Sequence, residues 1–138
     1  MDRLVARFDG ALTLVARLFM ALLFLMAGVD GIVHMERFQA KLTGDGLPAL
    51  IYAPVVWFLI IAALMLAFGL KTRWVALLMV GFSLASGLLD YTDFGQDTDM
   101  VMLLKNIALT GGYLFVALHG AGRLSVDAAM ARHAARHG

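Results

Sequence analysis

The chain has 138 residues, of which 62% are hydrophobic and 15% charged. A soluble domain of this size has too much surface to hide so many apolar side chains, so lipid contact is implied. The absence of cysteine excludes disulfides, thiolate metal sites and the CxxC chemistry of thiol-oxidising quinone enzymes. A net charge of +1, with basic residues unclustered with aromatics, gives nucleic-acid binding no support.

Residues 1–10 are polar, with Arg3 and Arg7 against Asp2 and Asp9. The first apolar run covers about 11–33. It is longer than the about 7–15 residues of a signal-peptide core and no clean A-x-A site follows, so it reads as a retained span. Asp30 to Gly46 is a mixed polar connection in which Met35, Phe38 and Leu42 recur at helical spacing, predicting a short interfacial helix. The second span, about 48–70, carries no charge, and Pro48 and Pro54 fall near its start, where proline is best tolerated. Tyr52 and Trp57 suit its interfacial end. The short connection Lys71-Thr72-Arg73 predicts that the second and third spans form an antiparallel hairpin.

The third span, about 74–90, is uncharged only from Trp74 to Leu89. That is about 24 Å of helix, short of the bilayer core, which sets Arg73 and Asp90 at the membrane boundaries. An acidic loop, Tyr91 to Asp99, leads to the fourth span, about 100–122, which as a helix is about 34 Å long. Lys105 then sits just inside one membrane face. The tail predicts a short basic helix with Ser125 as its N-cap, Asp127 in its first turn, and Arg132 and Arg136 later.

These elements make an all-α integral membrane four-helix bundle formed by residues 1–138 as one unit. An even number of spans puts both termini on one side. Arg3, Arg7, Arg17, Lys71, Arg73, Arg123, Arg132 and Arg136 fall on that side, against Arg37, Lys41 and Lys105 on the other, and this bias predicts cytoplasmic termini. Small residues at i, i+4 (Ala27 and Gly31, Ala63 and Ala67, Gly81 and Ala85, Ser83 and Gly87, Ala108 and Gly112) predict close helix approach in lipid.

Two groups of polar residues stand out. Asp90 ends the third span and Lys105 begins the fourth, with Tyr91 and Asn106 beside them. Asp30 and His34, at the same end of the first span, reach a similar depth. Together they predict an outer polar pocket able to hold a quinone headgroup or move a proton. The competing reading is a structural ion pair with Lys105 snorkelling to the interface. The other group is Arg17 alone, about 9 Å inside the first span. With no acid at its depth, it is expected to snorkel to the headgroups, or to bind an anionic lipid or ligand head.

Haem is disfavoured because His34 and His119 belong to opposite ends of different helices, whereas two axial ligands must share one depth. His133 and His137 are a surface pair without the third ligand of a usual zinc site. Asp93, Asp97 and Asp99 lack EF-hand spacing, so no metal site is assigned. The nine methionines read as fillers of the core or the lipid-facing surface.

Lys105-Asn106, Gly111-Gly112 and Gly120-Ala121-Gly122-Arg123-Leu124-Ser125-Val126-Asp127 resemble the C-terminal signature of the DoxX family of small bacterial membrane proteins. Arg17, Gly46-Leu47-Pro48 and Gly69-Leu70-Lys71-Thr72-Arg73 agree in order. Many members carry a lysine near the end of the first helix, where this chain has Asp30 and Gly31. The resemblance implies a multi-pass protein of the bacterial inner membrane, a subunit or accessory factor of a quinone-linked or other redox membrane system. Its partners would be the lipid bilayer and a second membrane protein or a copy of itself, and its ligand a quinone or lipid-like molecule. The alternatives are a non-catalytic scaffold or assembly partner and, last, a small solute carrier. The resemblance assigns no reaction.

Overall fold

The computed structural model describes residues 2–90 and 97–138. Its helices are α1 (Asp2–Val33), α2 (Met35–Gly44), α3 (Tyr52–Phe68, entered through a 3₁₀ turn at Ala49–Ile51), α4 (Thr72–Asp90), α5 (Asp97–His119) and α6 (Val126–His137). No strand occurs among the described residues. Among the described residues, α1, α3 with its leading turn, α4 and α5 are the 4 helices long and apolar enough to cross a membrane. Only 17–33% of their apolar windows is buried inside the protein, so most of the hydrophobic surface is left for lipid to cover, as the composition requires.

The spans differ from the apolar runs at their ends, for local reasons. α1 begins at Asp2 rather than near residue 11 because nothing in residues 2–9 breaks a helix, and Leu4, Val5 and Phe8 continue the exposed apolar surface. α5 already includes Asp97 and Asp99, ahead of the apolar run that opens near residue 100. It stops at His119 rather than near residue 122 because Gly120 turns left-handed, with φ 79°. α2 is the short amphipathic helix anticipated from Met35, Phe38 and Leu42. It turns Leu42 inward and sets Phe38 edge-on against Tyr52, ring centroids 5.8 Å apart.

α1 packs along α3 and α4 along α5, while α3 and α4 touch less extensively despite the short connection between them. The glycines explain the first pairing. A Cβ on Gly28 would come within 2.6 Å of Ile60 Cγ1, and one on Gly31 within 2.9 Å of Val56 Cγ2. Tyr52 adds a hydroxyl donated to the Gly31 carbonyl, 2.7 Å away. In the second pairing Gly87 meets Asn106, with buried Ser83 one turn earlier. The two pairs are joined through an aromatic core in which Phe24 of α1 meets Phe82 of α4 (5.8 Å) and Tyr113 of α5 (5.6 Å). Tyr113 donates its hydroxyl to the Met20 carbonyl at 2.9 Å. Of the expected small-residue pairs, that of Gly81 and Ala85 is not a helix contact: Gly81 has open space beside it and Ala85 faces a cavity.

α3 ends in a left-handed turn. Gly69 takes φ 73°, its N–H reaches the Leu66 carbonyl, and the Leu70 N–H reaches that of Met65, the Schellman arrangement. A side chain at Gly69 would run into the Arg17 guanidinium and come within 2.5 Å of Ser125 Cβ. Gly69→Ala is therefore expected to destabilise the protein by at least about 2 kcal/mol, combining backbone strain with overpacking. Gly81→Ala, with nothing within 4 Å of the new methyl, should shift stability by no more than about 0.5 kcal/mol. Unfolding of the detergent-solubilised variants by added SDS measures both.

Candidate functional site

At the end of the bundle that holds both termini, Arg17 is fully buried, with 0% of its surface exposed. It does not snorkel. Its Nη1 donates to the Leu66 carbonyl at 3.3 Å and its Nη2 to the Leu124 carbonyl at 2.5 Å. Both acceptors are available for structural reasons. Leu66 lies in the last turn of α3, where its carbonyl has the capping Gly69 N–H in place of an i+4 partner and takes Arg17 as a second donor, and Leu124 lies in the non-helical turn between α5 and α6. Nε is buried without a partner among the described residues.

The motif that closes the chain builds this clasp. Gly122 takes φ 75° and lies so close to α1 that a Cβ would meet Thr13 Cγ2 at 2.8 Å. Ser125 caps α6 as anticipated, accepting from the Ala128 N–H at 3.1 Å and donating to the Gly122 carbonyl at 2.8 Å. Asp127, in the first turn of α6, reaches across to the start of α4. Its Oδ1 accepts from the Lys71 N–H at 2.8 Å and its Oδ2 from the Thr72 N–H at 2.9 Å, while its own N–H donates to the Gly69 carbonyl at 2.9 Å. It is thus a cap for a helix other than its own. Burial pushes its carboxyl pKa up, but the backbone donors of Thr72 and Lys71, the Thr72 side chain and the charge of Arg17 outweigh that and hold it below the ordinary carboxylate value.

At the far end lies a cavity of about 380 Å³, in the loose seam between the two helix pairs. Phe24, Phe38, Leu59 and Phe82 supply apolar wall, and Lys41, Asp45, Ser86, Lys105 and Asn106 supply polar groups. The volume falls in the range of about 300–1,000 Å³ usual for small-molecule sites. Lys41 Nζ and Asp45 Oδ2 are 3.9 Å apart. Asn106 is buried, and its carbonyl accepts from the Thr110 hydroxyl at 2.8 Å. Lys105 is exposed on its other side, with Nζ 3.4 Å from Met102 Sδ.

The structure therefore brings Lys105 and Asn106 together at the cavity but leaves Asp30 and His34 out of its lining. Those two pair with each other on the exposed surface, Nδ1 to Oδ1 2.8 Å. The expected partnership of Asp90 with Lys105 and Tyr91 lies outside the described residues. Arg17 belongs to the other end and does not line this cavity. Lys41 and Asp45 are additions that sequence reasoning missed. The signal was present: Lys41 stands in the last turn of a helix whose Phe38 and Leu42 face inward, and Asp45, four residues on, is the C-cap of that helix. Among the described residues no group of three or more His, Asp or Glu side chains could hold a metal ion.

A family model described as DoxX matches residues 12–91. Inner membrane protein YqjF of Escherichia coli (strain K12) is 32% identical over 114 residues, covering 83% of this chain and 88% of that protein. Inner membrane protein YphA of the same organism is 29% identical over 127 residues, covering 84% and 88%. No solved structure matches the chain.

Two outcomes test the clasp. Arg17→Lys keeps the charge but lacks a planar fork to span two carbonyls, and is expected to cost about 2–3 kcal/mol in SDS unfolding. Because the Asp127 pKa is lowered on folding, its contribution is complete above the ordinary carboxylate value of about 3.9 and is lost as pH falls through the lower folded value. Asp127→Asn should cost about 1 kcal/mol at neutral pH and flatten the acid limb of stability plotted against pH.

Proposed function

This chain belongs to the DoxX family and is a multi-pass inner-membrane protein, and on that premise we propose that its far-end cavity holds the headgroup of a quinone or a similar ring-headed lipid. In this reading the protein is a subunit or accessory factor of a redox membrane system. The observation that carries the proposal is the composition of the cavity: aromatic and aliphatic walls meet a few polar side chains at the edge of the membrane-spanning helices. Such a ligand has a flat apolar ring, carbonyl oxygens that need donors, and a tail that belongs in lipid. Phe24, Phe38 and Phe82 suit the ring, and Lys105 and Asn106 carry donors for the carbonyls.

The chain's own part in the chemistry would be to bind, orient and donate hydrogen bonds. Lys105, Lys41 and Asp45 are titratable groups at the cavity, as proton exchange with a bound quinone requires. Electrons would come from a partner protein. The basic bias of the termini end, eight Lys and Arg against three, supports cytoplasmic termini, and the cavity would then open at the periplasmic face.

Equilibrium binding of a short-tailed ubiquinone to the protein in phosphatidylcholine nanodiscs tests the proposal. Lys105→Met is expected to lower affinity about tenfold, the loss of one charge-assisted hydrogen bond. The Asp30→Asn, His34→Gln double variant should leave affinity unchanged. No saturable binding by the parent protein, or equal affinity in Lys105→Met, would sink the assignment.

A further inference from the structure

At the termini end, α4 begins and α5 finishes around a second cavity of about 400 Å³, whose lining includes Lys71, Arg73, Trp74, His119, Gly120 and Asp127. Arg73 lies along the left-handed loop, so that a Cβ on Gly120 would be 3.3 Å from its Nε. Lys71 and Arg73 are exposed, and neither makes an ion pair among the described residues. The carboxylate in the lining, Asp127, has both oxygens turned onto the Lys71 and Thr72 N–H groups. His119 donates Nδ1–H to the Phe115 carbonyl at 2.9 Å.

Trp74, in the first turn of α4, is 70% exposed, and His119 is the last residue of the α5 span. Tryptophan at the end of a span marks the headgroup level, so the cations stand where phospholipid phosphates lie. A fork of guanidinium donors, an ammonium group and a concave glycine loop suit an oxyanion better than any neutral group. We propose that this cavity binds a phosphate group, carried either by an anionic phospholipid of the adjoining leaflet or by free phosphate.

The test compares the parent protein, the Lys71→Asn, Arg73→Gln double variant, and Arg37→Gln, which removes an exposed charge at the far end. Native mass spectrometry from nanodiscs of phosphatidylglycerol and phosphatidylcholine reads lipid retention. Calorimetric titration with inorganic phosphate, in phosphatidylcholine nanodiscs, reads the soluble source. Preferential retention of phosphatidylglycerol identifies the lipid, and a phosphate isotherm identifies the free anion. In either case the double variant is expected to lose about 30-fold in affinity while Arg37→Gln keeps it. Equal retention of both lipids with no phosphate isotherm overturns the proposal. So does a signal that survives in the double variant or falls equally in Arg37→Gln.

Discussion

A guanidinium taken out of water among lipid-facing helices must find oxygen acceptors, and Arg17 finds them on the carbonyls of Leu66 and Leu124. An unpaired charge there would cost several kcal/mol. Satisfying it fixes three parts of the chain at once: the middle of α1, the end of α3 and the turn before α6. The left-handed Gly69 makes room for the arginine, and Gly122 lets the turn before α6 lie close against Thr13, one turn earlier on α1. Asp127 then ties the tail to the turn that leads into α4, so a polar clasp holds the termini end of a bundle whose remaining contacts are mostly apolar.

The opposite end has no comparable clasp among the described residues. There the pairs α1 with α3 and α4 with α5 stand far enough apart to leave a cavity, closed from one side by α2. The division of labour is physical. Close packing through Gly28, Gly31 and Gly87 consumes the space within each pair, whereas the seam between pairs is held by large aromatic rings that meet at 5.6–5.8 Å and leave gaps beside them.

What the sequence made legible follows the same line. The spans, the short amphipathic helix and the Ser125 cap could be read because each rests on local pattern: uninterrupted hydropathy, a helical period, or a hydroxyl just before a helix. The engagement of Arg17 could not, because its acceptors are backbone carbonyls and carry no side-chain identity. The search for an acid at its depth looked for the wrong partner. Lys41 and Asp45 escaped for a different reason: a charged pair in a polar connection reads as solvated until α2 is seen folded against the bundle. The grouping of Asp30 and His34 with Lys105 and Asn106 rested on depth alone, and depth does not specify which way a helix faces.

The clasp also bears on how such a chain is made. Translation delivers α1 to the bilayer long before Leu124 and Asp127 leave the ribosome. Until then the arginine must take part of its oxygens from water or headgroups, and it gains its second carbonyl only when Leu124 arrives. The segment that carries Leu124 thus completes the clasp, and a ribosome that stalled short of it would leave a nascent chain whose first helix still held its arginine by solvent or headgroup oxygens.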